Sequence, residues 1–474
     1  MPDIARANGR HSVDGGKGSG GRHAYIGSFT SAGGAGITTA AVHPGTGALT
    51  PLGSTDAVAD PSYLALGPDG TVLYAVAELP DDGLAAAFSL RDPAAPAPLG
   101  TPRPVGGGAP THLCLAHGQL FTANYASGSV SSLALNALDG TVEGLRGVLR
   151  HRGAGPDPER QEGPHAHAVH PAPAGRWLLT VDLGTDTVRV LDAGHSVGAG
   201  GSGGAVGSGS AGDCVGAGEA VGAADSVGVG DTVGPGGSEG AGDSASGAPR
   251  VHHETVLPPG SGPRHLAFHP DGRHVYCVNE LASTVTLLTW DSAAGRLAVG
   301  PSRATVPGAG GAGGASAGGT VEDGAGRFAG GGGGAGAEGA GGLAGGADAG
   351  GAEGAGVAGV AGGGGVANYP SEAVVSADGR FLWVANRGHD SIAVFSLGAD
   401  RVPSLTGAVS CGGHWPRDLA LDPVTGRLYA ANERSGDVTW FDVDPADGTP
   451  RRAGSISVPA ASCVVFADGH PARR

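Results

Sequence analysis

Lysine is almost absent from this chain: Lys17 is the only one, and the remaining basic residues are arginines. Positive charge of any kind is scarce, with 28 Lys and Arg against 44 Asp and Glu and a formal net charge of −16. That balance argues against nucleic acid and against an anionic membrane surface as partners. It also means that any anionic ligand is held by arginine forks or by histidine. Cysteine is sparse as well. Cys114, Cys214, Cys277, Cys411 and Cys463 are scattered, odd in number and never spaced as Cys-x-x-Cys. Neither a disulfide framework nor a cysteine zinc site is expected, and a cytoplasmic protein is. No apolar run approaches the length of a membrane span. The polar, Gly-rich N-terminal segment lacks the apolar core of a secretory signal, so none is expected.

Glycine, by contrast, is abundant, and most of the 95 glycines fall in a few tracts. Two low-complexity stretches, about 194–247 and about 308–365, are built of Gly, Ala, Ser and Val with scattered acids. Such segments bury too little apolar surface to offset the entropy of ordering. The expected organisation is a tail over 1–22 and one domain over 23–474 that these two insertions interrupt.

The rest of the chain is a repeat. PSYLALGPDGTVLYAVAEL from Pro61 and PRHLAFHPDGRHVYCVNELASTVTLLTW from Pro263 share one frame with segments starting at Pro110, Pro164, Pro370 and Pro416. A seventh start, PAASCVVF at Pro459, runs out near the C-terminus, and AYIGSFTSAGGAGITTAAV from Ala24 supplies its missing strands. Uninterrupted starts lie 43 to 54 residues apart. Each unit reads as a short apolar strand, a D-G or T-G turn, a Val- and aromatic-rich strand, a polar corner and two further strands. Four antiparallel strands at this period predict an all-β fold, a seven-bladed β-propeller whose last blade is shared between the two ends of the chain.

The frame sorts the polar residues. Those just after each proline and those ending each second strand meet on one face, around the central opening. They include His112, His165, Arg264, Glu372, Arg417 and Asp418, and then Glu78, Asn124, Tyr125, Asp182, Asn279, Glu280, Asn386, Arg387, Asn432 and Glu433. Asparagine at a strand end commonly satisfies corner backbone groups, and that reading applies to Asn124, Asn279, Asn386 and Asn432. Arginine, glutamate and histidine converging on one funnel point to binding. His112, Tyr125, Asn279, Asn386 and Arg417 are accordingly candidate substrate contacts.

The stretch GPHAHAVHP carries His165, His167 and His170. Counted from Pro164, His165 takes the register of Arg264 and Arg417, and His167 takes a position that is mostly Leu in other units. The same count puts His170 in the turn on the far face, level with His269, roughly 16 Å from His165 at about 3.3 Å per residue. On that count the three histidines do not share a metal.

GPHAH, GPRHLAFHPDGRHVYCVNE, NYPSEAVVSADGRFLWVANRGHDSIAVF and YIGSFT together resemble the lactonase family of seven-bladed propellers, which includes bacterial 6-phosphogluconolactonases. Fungal carboxymuconate-lactonising enzymes share its fold. The resemblance covers nearly all of the chain outside the tail and the two tracts. It implies a site of His165 or His167, Arg264, Glu280 and Arg387. It also implies hydrolysis of a small anionic sugar lactone, 6-phosphogluconolactone above all, in glucose and pentose phosphate metabolism. A histidine activates water, arginines hold the oxyanion and the substrate anion, and Glu280 assists. No metal or organic cofactor is required, and a monomer is expected. Two other readings stay open: a non-enzymatic binding propeller, and an enzyme that forms lactones or isomerises a dicarboxylic acid.

Overall fold

The computed structural model describes residues 21–173, 175–193, 247–307 and 367–467. The two insertions and nearly all of the tail lie outside them; Arg22, expected at the end of the tail, opens the strand Arg22–Ser28. The described strands form seven antiparallel sheets, six of four strands and one of five. They are the blades of a propeller, numbered here in chain order. Blade 1 joins the two ends of the chain: Ala461–Ala467 is its innermost strand, paired with Arg22–Ser28, followed by Ile37–Val42 and Leu49–Thr55. The innermost strands of blades 2 to 7 are Leu64–Leu66, Pro110–Ala116, Ala166–Pro171, Pro263–Phe268, Tyr369–Val375 and Pro416–Leu421. Sharing a blade between the ends closes the ring, so that every blade packs between two neighbours.

The blades pack through apolar faces. Between blades 6 and 7, Trp383, Ile392, Leu419, Leu428 and Phe441 are buried together. The Trp383 indole donates to Gly448 O at 2.8 Å. Trp383→Ala is expected to cost about 3–5 kcal/mol in denaturant unfolding, because it leaves both a cavity and an orphaned carbonyl. A loss under about 1 kcal/mol would show that this contact does not hold the blades together.

A β-bulge near the start of the innermost strand recurs in blade 1 and in blades 3 to 7. The residue it displaces is Ser462, Thr111, His167, Arg264, Ser371 or Arg417. Bulges re-aim side chains, and here several of them stitch blade to blade. Thr111 Oγ1 donates to His167 O at 2.8 Å, Arg264 Nη1 to Ser371 O at 2.6 Å, and Ser371 Oγ to Pro416 O at 2.7 Å.

These bonds correct the frame of blade 4. Leu183 N donates to His165 O as Tyr125 N does to Ala109 O and Glu280 N to Gly262 O. Ala166 pairs with Asp182 as Pro110 pairs with Asn124 and Pro263 with Asn279. Pro164 thus stands two residues ahead of the position it was matched to. It is His167, not His165, that takes the register of Arg264 and Arg417, while His165 precedes the strand at the rim. His170 is no turn residue on the far face; it lies within the strand, 5 % exposed, at the register of Cys114, Ala267 and Ala420. His269 does occupy a turn, where its Nδ1 accepts from Asp271 N at 3.1 Å.

Candidate active site

Three candidate residues, Glu280, Arg264 and Arg387, come together at the funnel floor, joined by Arg160. Glu280, just past a strand end in blade 5, is 2 % exposed and lies among three guanidiniums. Arg387 Nη2 donates to its Oε2 at 2.5 Å, Arg264 Nε lies 3.2 Å from the same oxygen, and Arg160 Nη2 donates to Oε1 at 2.7 Å. Arg387 is steered by its Nε bond to Tyr369 O at 3.1 Å, and Arg264 by Ser371 O. Three cations around one carboxylate leave the floor positive. Burial opposes the charge on Arg160, but Glu280 and the Tyr125 hydroxyl outweigh it and push its pKa up.

The histidines border this cluster. His165 stacks on Tyr125 with ring centroids 4.5 Å apart, and His167 meets the same ring edge-on at 5.6 Å. His165 Nδ1 lies 3.0 Å from Tyr125 O, an obligate acceptor, which places a proton on Nδ1. Its Nε2 lies 3.1 Å from the exposed carboxylate of Glu162. The backbone N–H of His165 donates to Asp182 Oδ1 at 2.9 Å, so the rim histidine is anchored from below.

The opposite side of the funnel is negative. Arg417 is held by Glu78 at 3.2 Å and Glu433 at 3.3 Å, and its guanidinium lies over the Phe29 ring. Two carboxylates per guanidinium make a poor anion site and a good acceptor pair for hydroxyl groups.

Two expected ligand contacts turn inward instead. Asn279 donates to Thr284 and Thr286 of its own blade, and Asn386 to Ser391 and to Thr305 O; both are essentially unexposed. They secure their corners, as the alternative reading of these asparagines holds, and do not face the funnel. His112 is likewise withdrawn, 1 % exposed, to a belt below the floor. In that belt Glu372 is raised to about 8 by burial against the pull of Arg264, and Asp418 to about 8 by burial and by Glu372.

The comparisons with known proteins agree with this architecture. The family pattern "Lactonase, 7-bladed beta-propeller" matches residues 23–200 and 243–466. The chain belongs to the lactonase family. A 6-phosphogluconolactonase of Bacillus subtilis is 26% identical over 447 residues, 93% of this chain and 97% of that protein. Among solved structures, the periplasmic gluconolactonase of Pseudomonas aeruginosa superposes with TM-score 0.68 at 22% identity, covering 95% of this chain and 99% of that one. A protein from Lactobacillus plantarum does so with TM-score 0.68 at 23% identity, covering 94% and 100%. These likenesses fix the fold of this lactonase-family chain.

Sequence reasoning missed Arg160 and Glu162. Both sit in the linker PDPERQEG between blades 3 and 4, outside the repeat frame, where no register marks them. It also missed a buried network behind the rim of this lactonase-family site. His151 Nδ1 lies 2.6 Å from Asp182 Oδ2, and Arg189 Nη1 donates to the same oxygen at 3.2 Å. Burial pushes the His151 pKa below 6.5, and Asp182 raises it only in part. The native state therefore binds fewer protons than the unfolded chain below that value, and stability is lost as pH falls through about 6.5. Between pH 7.5 and 5.5, His151→Gln is expected to lose less stability than wild type in urea unfolding. Equal losses in the two proteins would exclude a neutral buried His151.

Proposed function

We propose that the protein hydrolyses an anionic sugar lactone, with 6-phosphogluconolactone the first substrate to test. The observation that carries this reading is the positive floor of Arg160, Arg264 and Arg387 around Glu280, bordered by His165 and His167. The substrate's phosphate or carboxylate joins the arginine side, and its hydroxyls donate to Glu78 and Glu433 across the funnel. With the exposed Glu162 carboxylate swung off Nε2, water attacks the lactone carbonyl while His165 Nε2 takes its proton, and Glu162 returns to the imidazolium that forms. The oxyanion is held by a guanidinium of the floor. Collapse of the tetrahedral intermediate breaks the bond to the ring oxygen, which recovers the proton from the imidazolium, leaving the open-chain acid.

Support comes from family membership and from the 26% identity to a 6-phosphogluconolactonase. The test is the rate of 6-phosphogluconolactone hydrolysis by purified protein, beside His165→Ala and His167→Ala. A rate no faster than spontaneous opening removes this reading. A loss confined to His167→Ala moves the base one register inward. Turnover of an unsaturated dicarboxylic acid instead would transfer the same residues to lactonisation.

A further inference from the structure

The belt beneath the floor contains a group that the proposed hydrolysis does not use. In the innermost strands, the second residue after the proline register is Tyr63, His112, His265, Glu372 or Asp418 in blades 2, 3, 5, 6 and 7, all large and polar. Blade 4 has Ala168 there. Two residues on, where blades 3, 5 and 7 have Cys114, Ala267 and Ala420, blade 4 has His170. Small and large have changed places within one strand. The space left by Ala168 is filled by the imidazole of His170, which reaches between its neighbours in blades 3 and 5. Its ring centroid lies 4.6 Å from that of His112 and 4.6 Å from that of His265, and the latter two are 5.0 Å apart.

All three residues are at least 95 % buried. The Nε2 atoms of His112, His170 and His265 have no hydrogen-bond partner among the described residues. Burial of several polar nitrogens without partners is costly and uncommon. One potential ligand nitrogen from each ring lies within 4.8 Å of the other two. Ligands about 2.0–2.1 Å from a tetrahedral zinc ion stand about 3.3–3.4 Å apart, so small ring rotations close the site.

We propose that His112, His170 and His265 bind a single divalent transition-metal ion, of the zinc or cobalt type, in the buried belt beneath the candidate active site. Imidazole ligands select that class over magnesium or calcium. The surroundings suit a dication. His265 Nδ1 lies 2.8 Å from Glu372 Oε1 but out of line for a hydrogen bond, so the ring rotation that brings Nε2 to the ion would also align Nδ1–H with this outer carboxylate. His112 must present its Nε2 lone pair. The contact opposing this, from Val169 N–H to Nδ1, is 3.4 Å long, at the limit of a hydrogen bond. The ion would tie blades 3, 4 and 5 at the axis.

A second cluster, His269, Asp271 and His274, also brings ligand atoms together. It is a surface turn whose atoms are already spent on one another: His274 Nδ1 lies 2.8 Å from Asp271 Oδ2, and Asp271 Oδ1 accepts from Arg273 N. It serves as the control.

The test produces the full-length protein in cobalt-supplemented medium, so that the ion can enter during folding, and reads metal content and visible ligand-field absorption after exhaustive dialysis. One equivalent of cobalt with tetrahedral bands is expected in wild type and in His269→Ala/His274→Ala. His170→Ala, which installs the residue of blades 5 and 7, is expected to lose the bands and to bind at least 100-fold more weakly. His170→Gln, which fills the space, should do the same. Wild type produced with cobalt should melt higher than wild type produced in metal-depleted medium, while His170→Ala shows no such difference. Wild type emerging without bound metal, or with metal that persists in both His170 variants, overturns the proposal. So does metal lost only in the surface-turn variant. Metal content is read without lactone, so this outcome is independent of the proposed hydrolysis.

Discussion

Arg264→Ala is expected to lower kcat/KM for 6-phosphogluconolactone by about 10²- to 10³-fold, the loss typical of removing a preorganised charge-stabilising donor. Arg264 is the floor cation aimed most directly by the backbone. A bulge turns it inward, Ser371 O holds one of its nitrogens, and Glu280 lies 3.2 Å from another. Arg160 and Arg387 still bind Glu280 in the variant, so the carboxylate is not stranded and the fold should survive. Arg264→Lys is expected to recover only part of the activity, because an ammonium cannot span Ser371 O and Glu280 as a planar fork does. A fall in kcat with KM unchanged would assign Arg264 to the oxyanion. A rise in KM alone would assign it to the substrate's own anion. Full activity in Arg264→Ala would detach the arginine floor from the chemistry.

Asp182→Ala should be the most destabilising change of a single charged residue behind the rim, by about 3–5 kcal/mol in denaturant unfolding. Asp182 is wholly buried and accepts from His165 N, Thr185 N and Arg189 Nη1, with His151 beside it. Alanine leaves the Arg189 guanidinium with Glu254 but without the buried carboxylate, and it frees the backbone of His165. The same variant should therefore lose activity even under conditions where it is fully folded. Asp182→Asn, which keeps an oxygen for the His165 amide, should lose comparable stability and less activity. A cost below about 1 kcal/mol for Asp182→Ala would mean that this network adds nothing to the fold.

The propeller is legible in the repeat. Proline, turn and strand-end residues recur at one period, and a ring of blades uses that period with every blade packed between two neighbours. The shared first blade follows from two half-units at opposite ends of the chain. Four site residues, Arg264, Glu280, Arg387 and Tyr125, are legible for the same reason, since register and face are fixed by counting along regular strands. Where counting fails, the cause is local. Pro164 precedes its strand by two residues more than Pro110 or Pro263 does, and no sequence signal distinguishes the cases. The count therefore sets every side chain after it, His165, His167 and His170, one level too low.

By itself, the sequence determined the number of blades, their order, the closure of the ring and those arginines, histidines and carboxylates near its axis that the repeat frame carries. The tertiary structure alone decided which of these touch. Arg160 reaches Glu280 from a linker with no register, Asn279 and Asn386 turn into their own corners, and His170 meets His112 and His265 from two other blades. Those contacts depend on bulges and on the meeting of strands distant in sequence. Both are set by packing around the axis rather than by the local pattern of any one strand.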